Sequence, residues 1–182
     1  MAVATAAEER AARRLGKTFR IGLAGANGLP GGRLVSFGLA GALHDGLALG
    51  ELLDATRIVD LSGTVLWEGK PLGIDGARTG TILAGEAIVD DPTERRQLHE
   101  RTGADAVDLE SGPLAATGRL VGCVRAISDT PSHTLGPLAG AVKRSGSTNW
   151  VGLARAFVRA PRAATRAAGD ARRALRRLET IA

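Results

Sequence analysis

Residues 91–130 read DPTERRQLHERTGADAVDLESGPLAATGRLVGCVRAISDT, and the order of elements inside this stretch decides the fold class. Asp91 can cap a helix, Pro92 suits the first helical position, and Glu94 favours the positive end of the helix dipole. A helix is therefore predicted to about Arg101, with Gly103 as its stop. Residues 106–109 and 122–127 are short apolar runs that read as buried strands, with a helix between them over 112–120. Strands alternating with helices predict an α/β domain, a mixed central sheet flanked by helices.

The flanking sequence extends the pattern. AAEERAARRL at 6–15 predicts a helix stopped by Gly16. Strands are predicted at 19–23, 34–37 and 79–83, and a hairpin at 55–61 and 64–67 turning on Ser62-Gly63. AGANGLPGG at 24–32 is too flexible for regular structure. After Pro131 the chain reads as helical near 138–142, at 150–158 and at 162–178, and there is no internal repeat.

The 182 residues fit one domain able to bury a core without staples. The single cysteine, Cys123, excludes an internal disulfide and a cysteine-based zinc cluster, and reads as a small core residue. His44, His99 and His133 lack metal spacing, so no metal is expected, and His99 is expected to face solvent. No run of about 18 apolar residues occurs, and acids precede any apolar run of signal length, so a cytoplasmic location is expected.

The net charge of +5 suggests nucleic acid until it is divided by segment. Residues 151–182 hold eight arginines, one Asp and one Glu, whereas the other 150 residues hold 16 basic and 17 acidic side chains. The body is near-neutral and the charge belongs to a tail. With five aromatic residues there is little to stack bases on, so no nucleic-acid partner is expected. Arg155, Arg159, Arg162, Arg166, Arg173 and Arg177 recur at helical spacing, and Ala and Leu residues fall on another face. A basic amphipathic helix suits a membrane surface or an acidic partner; equally, it suits a solvated helix packed by its Ala/Leu face. The division expected is 1–145 as a catalytic body and 146–182 as a basic tail.

Carboxylates stand where strands end, in DAVDLES at 105–111 and in CVRAISDT at 123–130. Ligands of α/β sheets bind outside the carboxyl ends of strands, so these acids can face one crevice. Read from spacing alone, Asp129 could equally cap a turn and Glu110 a helix.

VDLES and RAISD resemble the paired signature of the purine nucleoside phosphorylase/nucleosidase superfamily, (V/E)-(D/E)-M-E-(S/A/G) followed by R-x-I-S-D. FGLAGAL at 37–43 resembles its F-G-x-A-G-(A/G)-L, LGELL at 49–53 its v-G-D-v-v, and AGEAIV at 84–89 its S-G-D-x-F-(I/V). AAEERAARRLG at 6–16, VKRS at 142–145 and RRALRR at 172–177 are similar to the ends of hopanoid-associated phosphorylases, which release adenine from adenosylhopane.

The resemblance implies a nucleoside phosphorylase-like fold and cleavage of a purine N-glycosidic bond. Asp129 would be the general acid at purine N7, held by Ser128; Glu110 would accept from the ribose hydroxyls beside Leu109. Ile88, Val89, Ala40 and Gly41 would meet the base. Arg10 falls where hydrolases of the superfamily have a water-activating Glu, and a cation there suits phosphate, as do Gly25 and Gly38. The favoured expectation is therefore phosphorolysis of adenosylhopane, a lipid-linked nucleoside, with inorganic phosphate as co-substrate and no other cofactor. The alternatives are a methylthioadenosine/adenosylhomocysteine or futalosine-type nucleosidase using water, and a truncated inactive relative. One departure stands out: only Leu29–Arg33 separates the glycine loop from FGLAG, where the family has a helix of about four turns. Bare sheet there would need a partner subunit, so a homo-oligomer is expected, with peripheral membrane contact through 151–182.

Overall fold

The computed structural model describes residues 1–25, 27–139 and 158–181. In chain order it contains β1 (Ala2–Val3), α1 (Ala6–Ala12), β2 (Phe19–Arg20), β3 (Leu34–Ala42), β4 (Leu52–Val59), β5 (Val65–Glu68) and β6 (Arg78–Ala84). There follow α2 (Pro92–Thr102), β7 (Ala106–Asp108), α3 (Ser111–Ala115), β8 (Leu120–Asp129) and α4 (Pro161–Glu179). Short 3-10 turns lie at Arg13–Leu15, Leu23–Gly25 and Gly136–Leu138.

The strands form one mixed sheet that closes on itself. β3 runs parallel to β8, from Leu34 opposite Leu120 to Gly41 opposite Asp129. β8 is antiparallel to β4, β4 parallel to β6, and β6 parallel to β7. β7 then returns antiparallel to the end of β3, with Gly41 opposite Val107. Five strands thus make a ring, with β1 and β2 added beside the first half of β3 and β5 added to β4. Within a ring, ladder groups find partners on both sides, so none of the five leaves a long open edge.

The local signals of 91–130 act as their chemistry demands. The Asp91 carboxylate accepts from the Thr93 and Glu94 N–H groups, and Gly103 ends α2 in the left-handed conformation (φ 67°). The strand expected over 19–23 stops at Arg20, because Gly22 turns the backbone to φ 75°. The helix expected over 112–120 is the shorter α3. Residues 150–157 of the helix expected over 150–158, the end of the one near 138–142, VKRS and Arg155 lie outside the described residues.

Two expectations need correction. β3 is not left bare by the missing family helix: Leu34 is buried with Ile21, Leu114, Ala115 and Leu120, and Leu29 packs on that cluster. Nor is α4 a separate tail. Ala174 and Leu178 are buried with Val3, Ala11, Ala12, Phe37, Leu52 and Val124, so the helix closes one face of the sheet. Its arginines, Arg162, Arg166, Arg172, Arg173, Arg176 and Arg177, stay exposed on the other side. Alanine packs close against strands where arginine cannot, and the helical period separates the two sets.

Candidate active site

A cavity of about 340 Å³ lies over Leu39, Ala40 and Gly41, where β3 has β7 on one edge and β8 on the other. The register of β8 slips here: Ala40 pairs with Ile127 but Gly41 pairs with Asp129, so Ser128 is an extra residue. In a regular strand neighbouring side chains point to opposite faces; the bulge lets Ser128 and Asp129 both line the cavity. Ser128 Oγ donates to Asp129 Oδ1 at 2.6 Å, fixing one oxygen of that carboxylate. Gly41 leaves room for it, since a Cβ there would lie 2.7 Å from Asp129 Oδ2.

The two motif segments are joined physically. Asp108, at the end of β7, forms a buried ion pair with Arg125 of β8 and accepts from the Ser111 N–H at 3.0 Å. The guanidinium also donates to Ser36 Oγ at 2.6 Å and to the Val124 carbonyl at 2.8 Å. Burial opposes the Arg125 charge, but the Asp108, Glu110 and Glu8 carboxylates contribute to outweighing it, and its pKa rises above the ordinary arginine value. This pair sets VDLES beside RAISD and brings Leu109 and the buried Glu110 to the cavity.

Of the residues expected at the site, Asp129, Ser128, Glu110, Leu109, Ile88, Val89, Ala40 and Gly41 all line the cavity. Arg10, Gly25 and Gly38 do not. Arg10 is exposed on α1, one helical step off the inward face, so the phosphate contact expected of it has no geometry here. Gly38 lies behind the wall, where a Cβ would meet Glu8 Oε1 at 2.5 Å; its bareness serves the Glu8 carboxylate.

Glu8 is the residue that sequence reasoning missed. It is buried at the cavity, with Oε1 accepting from the Leu39 N–H at 2.8 Å and Oε2 from the Thr5 N–H at 2.8 Å and Thr5 Oγ at 2.9 Å. Burial pushes its pKa up, and the Leu39 and Thr5 donors offset part of that rise. The Thr-x-x-Glu pattern at 5–8 is a capping box, and this local role hid the reach across to β3. Arg95 was also missed: it pairs with Asp129, while its neighbour Arg96 is exposed, and only the helical step from Leu98 separates the two.

The remaining wall is apolar. Leu23, Leu135, Leu138 and Ala139 contribute, together with Ala167 and Ala171 of α4. Cys123 is buried, and burial first of all pushes its thiol up to about 12, which keeps it inert. His99 does not face solvent freely: its Nδ1 donates to the Ala104 carbonyl at 2.7 Å and its ring lies 4.4 Å from that of His44. Among the described residues no three His, Cys, Asp or Glu side chains gather as a metal site, and no helix is long and apolar enough to cross a membrane.

No family model matches the sequence, and no curated protein matches it. Among solved structures, a Helicobacter pylori MTAN variant with 5′-methylthioadenosine in its active site aligns with a TM-score of 0.60 at 14% identity, over 99% of this chain and 95% of that one. A Borrelia burgdorferi protein described as a 5′-methylthioadenosine/S-adenosylhomocysteine nucleosidase, bound to adenine, aligns with a TM-score of 0.58 at 13% identity, over 97% and 98% of the two chains. A second Helicobacter pylori MTAN structure matches over 53% of this chain and 57% of that chain, at 21% identity and a TM-score of 0.46. Likeness at these identities establishes the architecture: this chain has the mixed-sheet α/β fold of nucleoside phosphorylases and nucleosidases.

Proposed function

We propose that the protein hydrolyses the N-glycosidic bond of a 5′-substituted adenosine, with water as the nucleophile. One observation carries the choice of water: the cavity presents Glu8, a buried carboxylate of raised pKa, where a phosphate-binding cation was expected. A buried carboxylate at the cavity can take a proton from water, whereas its negative charge would repel a phosphate anion. Arg95 is the cation on the wall among the described residues, and it is already engaged by Asp129.

In this mechanism Glu8 takes one proton from water as the oxygen attacks C1′. The C1′–N9 bond breaks, and Asp129, paired with Arg95 as a carboxylate and protonated from solvent as the base enters, gives that proton to N7 of the departing adenine. The proton on Glu8 returns to solvent, which resets both groups. Glu110 accepts from the ribose hydroxyls, and Leu109 packs beside the sugar. Ile88 and Val89 meet the base edge. The apolar wall suits an apolar 5′ substituent, and the resemblance of the chain ends makes adenosylhopane one substrate to test. The exposed arginines of α4 would bring the enzyme to an anionic bilayer carrying such a substrate.

The test is adenine release from 5′-methylthioadenosine and from adenosylhopane, followed chromatographically with and without phosphate. Release at the same rate without phosphate is expected, along with a loss of about 10²–10⁴-fold in Asp129→Asn. Release only with phosphate, yielding a ribosyl phosphate, would return the favour to phosphorolysis. No release from either substrate would leave the inactive relative.

A further inference from the structure

α2 is a surface helix whose other arginines, Arg96 and Arg101, are exposed, yet Arg95 is 1% exposed. A guanidinium that deeply buried needs every donor matched. Its Nε donates to the Val89 carbonyl at 2.9 Å and its Nη1 to the Ala42 carbonyl at 3.1 Å. Its Nη2 pairs with Asp129 Oδ2, and Asp90 Oδ1 lies 3.9 Å from the same nitrogen. One planar fork therefore ties together the base-edge segment, the end of β3 and the end of β8.

The network reaches further. Asp90 accepts from the Leu135 N–H at 2.8 Å and the Gly136 N–H at 2.9 Å. It thereby holds the start of the Gly136–Leu138 turn, and Leu135, Leu138 and Ala139 form the apolar wall. With Ser128 on Oδ1 and Arg95 on Oδ2, the Asp129 carboxyl plane is held at both oxygens.

We propose that Arg95 is a positioning residue that acts through Asp129 and Asp90, setting the carboxyl group and the apolar wall at 135–139 in one register. The proposal rests on the hydrolytic function above. As the Asp129 O–H bond breaks and the adenine N7–H bond forms, the carboxylate left behind keeps its counter-charge and its orientation. Arg95 gives up no proton and touches no reacting atom.

The test compares Arg95→Lys, Arg95→Gln and Asp90→Asn for kcat and KM on 5′-methylthioadenosine, adenine affinity by calorimetry, and Tm. Arg95→Gln should lower kcat about 10²-fold, the usual cost of a catalytic group displaced by about 1 Å, and weaken adenine binding about tenfold. Arg95→Lys, which keeps the charge, should recover most of both. Asp90→Asn should raise KM severalfold with a smaller change in kcat, since it loosens the wall. Equal losses in the Lys and Gln variants, following Tm alone, would overturn the proposal. So would unchanged kcat and adenine affinity in the Gln variant. If Arg95→Gln does not fold, Asp90→Asn decides: a raised KM at wild-type Tm supports positioning, and a wild-type KM refutes it. If the wild-type protein releases no adenine, hydrolysis falls, and positioning is then judged on adenine affinity: weakened in the Gln variant it stands, unchanged it falls.

Discussion

Gly38→Ala tests whether the first glycine of FGLAG exists for the Glu8 carboxylate. The backbone of Gly38 is not in the left-handed region, so alanine meets no conformational barrier; only space opposes it. The new Cβ would lie 2.5 Å from Glu8 Oε1 and 3.1 Å from its carboxyl carbon. To reach 3.4 Å, the near edge of ordinary contact, the carboxylate must retreat by about 0.9 Å. A retreat along the Leu39 N–H bond, now 2.8 Å, stretches it to about 3.7 Å, past hydrogen-bonding distance. An N–H left unmatched beneath the cavity costs about 1–3 kcal/mol, and the entropy that alanine saves in the unfolded chain returns about 0.4–1 kcal/mol. The net is about 1–2 kcal/mol, a fall in Tm of roughly 2–8 °C for a chain of this size. The catalytic effect should be larger, about 10²-fold in kcat, because the group that takes the water proton has moved by nearly 1 Å. Thermal unfolding followed by circular dichroism and phosphate-free adenine release measure the two effects. Wild-type kcat with an unchanged Tm would refute the packing reasoning. A loss confined to a phosphate-stimulated rate would return Gly38 to an anion-binding role.

Three further outcomes are expected. Arg125→Met leaves Asp108 buried without its counter-charge, and urea unfolding should show a loss of about 3–5 kcal/mol; a loss below 1 kcal/mol would mean the pair is not what joins β7 to β8. Because the native pKa of Glu8 is raised, the folded state holds its proton more tightly, so its contribution to stability is full below the unfolded value of 4.5 and is lost as pH rises through the native value. The stability advantage of the wild type over Glu8→Gln should therefore shrink from acid toward neutral pH, and parallel curves would show that Glu8 has no raised native pKa. The arginine face of α4 is tested with Arg162→Glu/Arg166→Glu, which leaves the buried alanines intact. The wild type should sediment with phosphatidylglycerol vesicles and not with phosphatidylcholine, at about 1 kcal/mol per arginine before screening; equal binding by the variant would end the membrane assignment.

What was legible in the sequence is what acts over a few residues. Asp91, Pro92 and Gly103 bracket α2 by local hydrogen bonding and backbone preference, and they do so in the structure. The strand-end carboxylates marked a possible crevice, but spacing left caps equally open; the VDLES and RAISD resemblance singled out Asp129 and Glu110, and both line one cavity. What stayed hidden depends on distance along the chain. Glu8 meets Leu39 across 31 positions, and Arg95 meets Asp129 across 34, and neither pairing leaves a periodic trace. Arg10 was expected at the site because it falls where the superfamily's hydrolases have a water-activating Glu; on this short helix two positions turn a side chain from the cavity to solvent. For α4 the amphipathic pattern left two readings open, a basic surface helix or one packed by its Ala/Leu face, and the contacts of Ala174 and Leu178 favour the second.

The ring of strands also bears on how the chain folds. Its closing ladders join β3 to β7 and β8, pairings between segments some 65 to 90 residues apart, so loop entropy must be spent before they return anything. Such pairings are slow, which makes this a chain that should refold late and exchange its ring amides slowly once closed. Gly41 and Asp129 come from two strands of that circuit, and Glu8 from the helix that precedes it. No stretch of ribosome-exposed chain ending before β8 can hold the catalytic geometry even transiently, so activity should appear in one step, at closure, rather than accumulate as the parts emerge.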